Sequence, residues 1–96
     1  MNFEAAQDYL LDFLQDEFKA EPSVRVTMYP RGQPVHKVVE YLLDEGRDER
    51  EALSKVGVLA RTETREYFFP LQWILGKEYS KIQAEVSRLR EVLEKI

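Results

Sequence analysis

Ninety-six residues are enough for one small domain with a modest core. Hydrophobic residues make up 44% and charged residues 33%, which excludes a disordered chain, and no apolar run approaches the about 20 residues of a membrane span. The chain has no cysteine, which excludes a disulfide framework and thiolate metal sites and points to a reducing, cytoplasmic setting.

The net charge of −4 is unevenly spread. Residues 1–23 hold six acids against Lys19, a net of −5, whereas residues 24–65 carry eight basic residues against seven acids. Acidity is therefore an N-terminal feature, and the middle of the chain alone has a slight basic excess. From Glu4 onward the first segment is acidic and has no positive n-region, so it does not read as a secretory signal.

Asn2 suits the N-cap of a first helix over about 3–19, with Phe3, Ala6, Leu10, Phe13, Leu14 and Phe18 on one apolar face. Opposite that face, Glu4, Asp8, Asp12 and Asp16 recur every four residues as an acidic stripe. Like charges at that spacing cost a helix a few tenths of a kcal/mol per pair. The stripe reads either as a solvated face or as a surface that mimics nucleic acid and docks on a basic partner.

Residues 23–29 alternate, with Val24, Val26 and Met28 on one side and Arg25, Thr27 and Tyr29 on the other, the pattern of a half-buried strand. The run PRGQP is a turn, with Pro34 at the first position of a second helix over about 34–45. Val35, Val38, Val39, Leu42 and Leu43 form its apolar set, and Gly46 ends it. Asp48 and Glu51 resemble a capping box for a short third helix over about 49–56, burying Ala52, Leu53 and Val56. Two readings compete for Leu59–Phe69: threonines and aromatics favour a hairpin turning around Glu63, while the lack of Gly and Pro leaves helix open.

Pro70 suits the start of a final helix over 70–96, about 40 Å long. Leu75, Tyr79, Ile82, Val86, Leu89, Leu93 and Ile96 follow one another at spacings of 4, 3, 4, 3, 4 and 3, the period of a coiled coil. With Tyr79, Val86 and Leu93 at a and the others at d, a parallel two-stranded coil is expected, with Glu85 and Arg90 as an interchain g–e pair. Packing on the chain's own first helix is the competing reading. A helix of that length overhangs a head whose radius of gyration is about 13 Å, which favours a homodimer. The expected architecture is one α+β domain: a head over 1–69 with a two- or three-stranded antiparallel sheet, and a C-terminal dimerisation helix over 70–96.

Little in the sequence carries catalysis. His36 is the single histidine, no serine sits in a nucleophile elbow, and no metal-ligand spacing occurs. No cofactor, metal or small-molecule substrate is expected, and the chain is read as non-enzymatic.

The order helix, strand, helix, short helix, hairpin, long helix resembles a winged-helix domain with a dimerising C-terminal helix. The run LSKVGVLART resembles the end of a recognition helix entering the wing, and REYFF the returning wing strand. The resemblance implies DNA contacts from Arg47, Arg50 and Lys55 around the third helix and from Arg61 and Arg65 on the wing. Asp48, Glu49 and Glu51 depart from that pattern, because carboxylates repel phosphates. The expected function is a dimeric regulatory or adaptor protein binding DNA or a protein partner; the alternative is an acidic inhibitor acting through its first helix.

Overall fold

The computed structural model describes residues 2–95. Five helices and three strands follow in the order α1 (Phe3–Glu17), β1 (Arg25–Tyr29), α2 (Val35–Asp44), α3 (Glu49–Leu53), β2 (Gly57–Arg61), β3 (Glu66–Pro70), α4 (Leu71–Leu75) and α5 (Tyr79–Glu94). The class is α+β, with a three-stranded antiparallel sheet in the order β1-β2-β3. No described helix is long and apolar enough to cross a membrane.

α1 starts where its cap permits. The Asn2 side chain accepts a hydrogen bond from the Ala5 N–H at 2.7 Å, satisfying one of the first-turn donors. Ala6, Leu10 and Leu14 are fully buried on one face, followed by Phe18 at the C-cap. Gln7 lies on the same face, and its Nε2 donates to the Gly57 carbonyl at 2.9 Å. That buried bond ties the first helix to the central strand and gives an interior polar group its partner.

The alternation read in β1 is matched by the sheet. Val26 stands opposite Ala60 and Met28 opposite Val58, while Arg25 faces Arg61 and Thr27 faces Leu59. The Val26 side is the inner face, which also carries Tyr67 and Phe69 from β3. Met28 is on that side yet 45% exposed, because β1 is an edge strand. Leu59–Phe69 is a hairpin rather than a helix; Thr62 and Arg65 close its loop, with Thr62 N–H donating to the Arg65 carbonyl at 2.9 Å.

Gly57 is the first residue of β2. A Cβ there would lie 2.1 Å from the Phe69 carbonyl oxygen and 2.9 Å from Pro70 Cα, so the two backbones approach as only glycine allows. α3 is also shorter than expected. Asp48 caps it by accepting from the Glu51 N–H at 2.7 Å, but it ends at Leu53. In α2, Val35 and Val39 are buried, whereas Leu43, expected inside, is 38% exposed. Gly46 takes φ +89° just beyond α2, the left-handed position for which glycine is suited.

The largest correction concerns the C-terminal helix. The expected single helix over 70–96 is two: α4 stops at Leu75, and α5 begins at Tyr79. Gly76 and Lys77 separate them, and Lys77 adopts φ +57°. The Glu78 N–H donates to the Trp73 carbonyl at 2.7 Å, which closes off the end of α4. α5 then lies against β3 and α4. Ile82, Val86 and Leu89 are buried in the chain's own core, and Leu75 and Leu93 pack partly against it. Tyr79 remains 52% exposed, and Ile96 lies outside the described residues. Glu85 pairs with Arg88 within α5, and Arg90 reaches back to the Glu17 carboxylate at 2.5 Å, with its guanidinium 5.2 Å from the Phe18 ring centre. Neither member of the expected interchain g–e pair is free in this arrangement.

Candidate nucleic-acid interface

The five basic residues of the winged-helix reading fall into two groups. Arg47, Arg50 and Lys55 lie around α3, before Gly57; Arg61 and Arg65 lie at the other end of β2. The five-residue strand β2, about 13 Å long, runs between Lys55 and the hairpin loop. Around α3 the arginines have carboxylate partners: Arg47 meets Glu51 at 2.5 Å, and Arg50 meets Glu78 at 3.7 Å. On the hairpin, Arg61 pairs with Glu66 at 3.1 Å. Lys55 and Arg65 are exposed and have no ion pair among the described residues. Exposed pairs of this kind contribute about 0–1 kcal/mol, so a phosphate can displace the carboxylate at small cost.

The acidic stripe is an exposed row along α1, as its spacing requires. Glu4, Asp8, Asp12 and Asp16 are all exposed. Asp16 pairs with Lys19 at 3.2 Å, and Glu4 with Nδ1 of His36 at 2.5 Å. Asp8 and Asp12 have no ion pair among the described residues. The one histidine is thus held at the surface by Glu4, beside the start of α1.

A further basic surface escaped the sequence reading. The side of the sheet opposite the core carries Arg25, Thr27 and Tyr29 from β1, Leu59 and Arg61 from β2, and Glu66 and Phe68 from β3. Arg25 and Arg61 are cross-strand partners. Arg31, from the turn after β1, joins both of them in lining a cleft of about 430 Å³, with Ser23, Thr27, Thr62 and Glu63. A second cleft of about 260 Å³ shares Thr27, Arg31 and Arg61 with the first and continues to Tyr29 and Leu59. Tyr29 and Phe68 meet edge to face with ring centres 5.6 Å apart. The signal was present in the outward half of the β1 alternation, but the pairing of Arg25 with Arg61 depends on strand register and the place of Arg31 on the turn.

Among known proteins, no family model, curated sequence or solved structure matches this chain.

Proposed function

We propose that the chain is a non-enzymatic regulatory or adaptor protein with a winged-helix-like head that contacts DNA. The observation that supports this reading is the order of its elements, α1-β1-α2-α3 followed by the β2–β3 hairpin on one antiparallel sheet. In this reading Lys55 and Arg65 are the unpaired contacts, and Arg47, Arg50 and Arg61 exchange surface carboxylates for phosphates. A gel shift on duplex DNA over a range of salt tests it. Binding at low salt that weakens with added salt, and weakens further in Lys55→Ala/Arg65→Ala, is expected. Absence of any shift at low salt overturns the DNA half of the reading and leaves a protein partner for the same head.

Pairing as a homodimer belongs to the same proposal, with its surface changed. Because Ile82, Val86 and Leu89 fill the core, the exposed seam residue among the described ones is Tyr79, which borders a groove of about 190 Å³ with Tyr9 and Phe13 of α1. Two half-exposed tyrosines suit the centre of a modest interface. Light scattering over a range of concentrations should give a dimer that becomes a monomer in Tyr9→Ser/Tyr79→Ser; a wild-type monomer removes the dimer from the account.

A second reading has an observation of its own in the exposed carboxylates of α1, two of them unpaired. There the chain is an acidic inhibitor docking on a basic protein through Glu4, Asp8, Asp12 and Asp16. Replacing Asp8, Asp12 and Asp16 by Asn without changing partner binding would retire it.

A further inference from the structure

The outer face of the sheet has a composition unlike the rest of the surface. Across a chain of net charge −4, it gathers three arginines in one cleft. Arg61 is paired with Glu66, but Arg25 and Arg31 have no ion pair among the described residues. Glu63 is the carboxylate lining that cleft and Glu66 lines the adjoining one, so the guanidinium excess persists after both acids are counted. The hydroxyl-bearing residues Ser23 and Thr27 line the same cleft. Guanidinium forks and hydroxyls at one site are a donor set for phosphate oxygens, since a planar guanidinium donates two parallel N–H bonds to two oxygens of one phosphate.

A phosphate site alone would not need what adjoins it. The second cleft continues from the arginines to Tyr29 and Leu59, and Tyr29 contacts Phe68 on the same face. Tyr29 is 47% exposed, although an aromatic ring gains by burial. Charged donors and partly exposed rings on one sheet face are the two halves of a platform for unpaired nucleotides: phosphates meet the arginines while bases stack on the rings. A duplex keeps its bases stacked on each other and offers the rings nothing. An acidic peptide could satisfy the arginines and would likewise leave the rings without a partner.

We infer that the outer sheet face binds single-stranded nucleic acid, with phosphates held by Arg25, Arg31 and Arg61 and bases stacked on Tyr29 and Phe68. This surface goes beyond the duplex contacts at Lys55 and Arg65; Arg61 is common to both, but Arg25, Arg31 and Tyr29 belong to this face alone, so the two readings can fail separately.

The test is fluorescence anisotropy of a labelled oligothymidylate at low salt, competed by the matching duplex and by an oligoglutamate peptide. Wild-type protein should bind the single strand and be displaced by unlabelled single strand far more readily than by duplex or peptide. Arg25→Ala/Arg31→Ala should weaken binding at least tenfold and flatten its salt dependence by about 0.7 for each lost phosphate contact. Tyr29→Ala should weaken binding about tenfold at unchanged salt slope, which separates stacking from charge. Thermal melts of each variant establish that it folds; Arg25→Lys and Tyr29→Trp, which keep charge and ring, should retain most of the affinity. No binding by the folded wild type, equal competition by duplex or peptide, or folded Arg25→Ala/Arg31→Ala binding like wild type would each overturn the inference. Loss of the duplex gel shift alone, with oligothymidylate binding intact, would remove the winged-helix contacts and leave this face standing.

Discussion

The two faces of the sheet are made by the same fifteen strand residues and have opposite fates. On the inner face Val58, Ala60 and Phe69 are completely buried, with α1, α4 and α5 packed nearby. On the outer face Arg25, Thr27, Tyr29, Arg61 and Phe68 line open clefts or stand beside them. One face contributes burial to stability, at about 25 cal/mol per Å² of apolar area. The other leaves aromatic and charged groups exposed at little gain to the fold. That difference separates residues selected for packing from residues available for contact, and substitutions can test the division.

The largest effect is expected where two strand backbones leave no room between them. Gly57→Ala drives a methyl group into the Phe69 carbonyl and Pro70, both backbone, and should cost about 4 kcal/mol or prevent folding. Urea unfolding measures it; a loss under about 1 kcal/mol would mean that β2 and β3 are not this close.

Next comes the matched pair of neighbours Phe69 and Phe68. Phe69→Ala removes a fully buried ring and should cost about 3–5 kcal/mol. Phe68→Ala loses an edge contact with Tyr29 and partial burial, about 1 kcal/mol. Equal losses would erase the distinction between the faces.

Leu89→Ala extends the comparison to α5. Leu89 is fully buried within the chain, so the substitution should cost about 2–4 kcal/mol in unfolding that does not depend on protein concentration. Were the seam an interchain device, the loss would appear instead as a concentration-dependent dissociation. For the same reason a truncation at Gly76 is no clean test of assembly, because it removes Ile82, Val86 and Leu89 from the core.

The smallest effect is decided by its sign. Lys77 is in the left-handed region, which costs a non-glycine residue about 1 kcal/mol. Lys77→Gly should therefore be neutral or stabilising by up to about 1 kcal/mol. In one continuous helix the same change would destabilise by about 1 kcal/mol, so thermal denaturation distinguishes the broken helix from the unbroken one.

Much of the fold was legible because local signals agreed with tertiary ones. Asn2 and Asp48 cap the helices they precede, Gly46 closes α2, and the outward and inward residues of β1 alternate as read. The C-terminal segment misled for a physical reason. Spacings of 3 and 4 serve any helix lying in a groove of its own domain as well as a coiled coil, and Gly76 mattered more than the periodicity running through it. The exposure of Leu43 and Met28 depends on how far neighbouring elements extend, which a one-dimensional pattern does not record. The arginine cleft was hidden for a similar reason. Arg61 is far in sequence from Arg25 and Arg31, and antiparallel register together with the turn after β1 brings all three to one cleft.

The most direct measurement is an amide chemical-shift titration of the isotope-labelled protein with oligothymidylate. Shifts confined to Arg25–Arg31, Leu59–Thr62 and Glu66–Phe68, with α1 and α2 unmoved, are the predicted result. Shifts concentrated on α1 or α3, or none on the sheet, would contradict the assignment of the outer face as the contact surface.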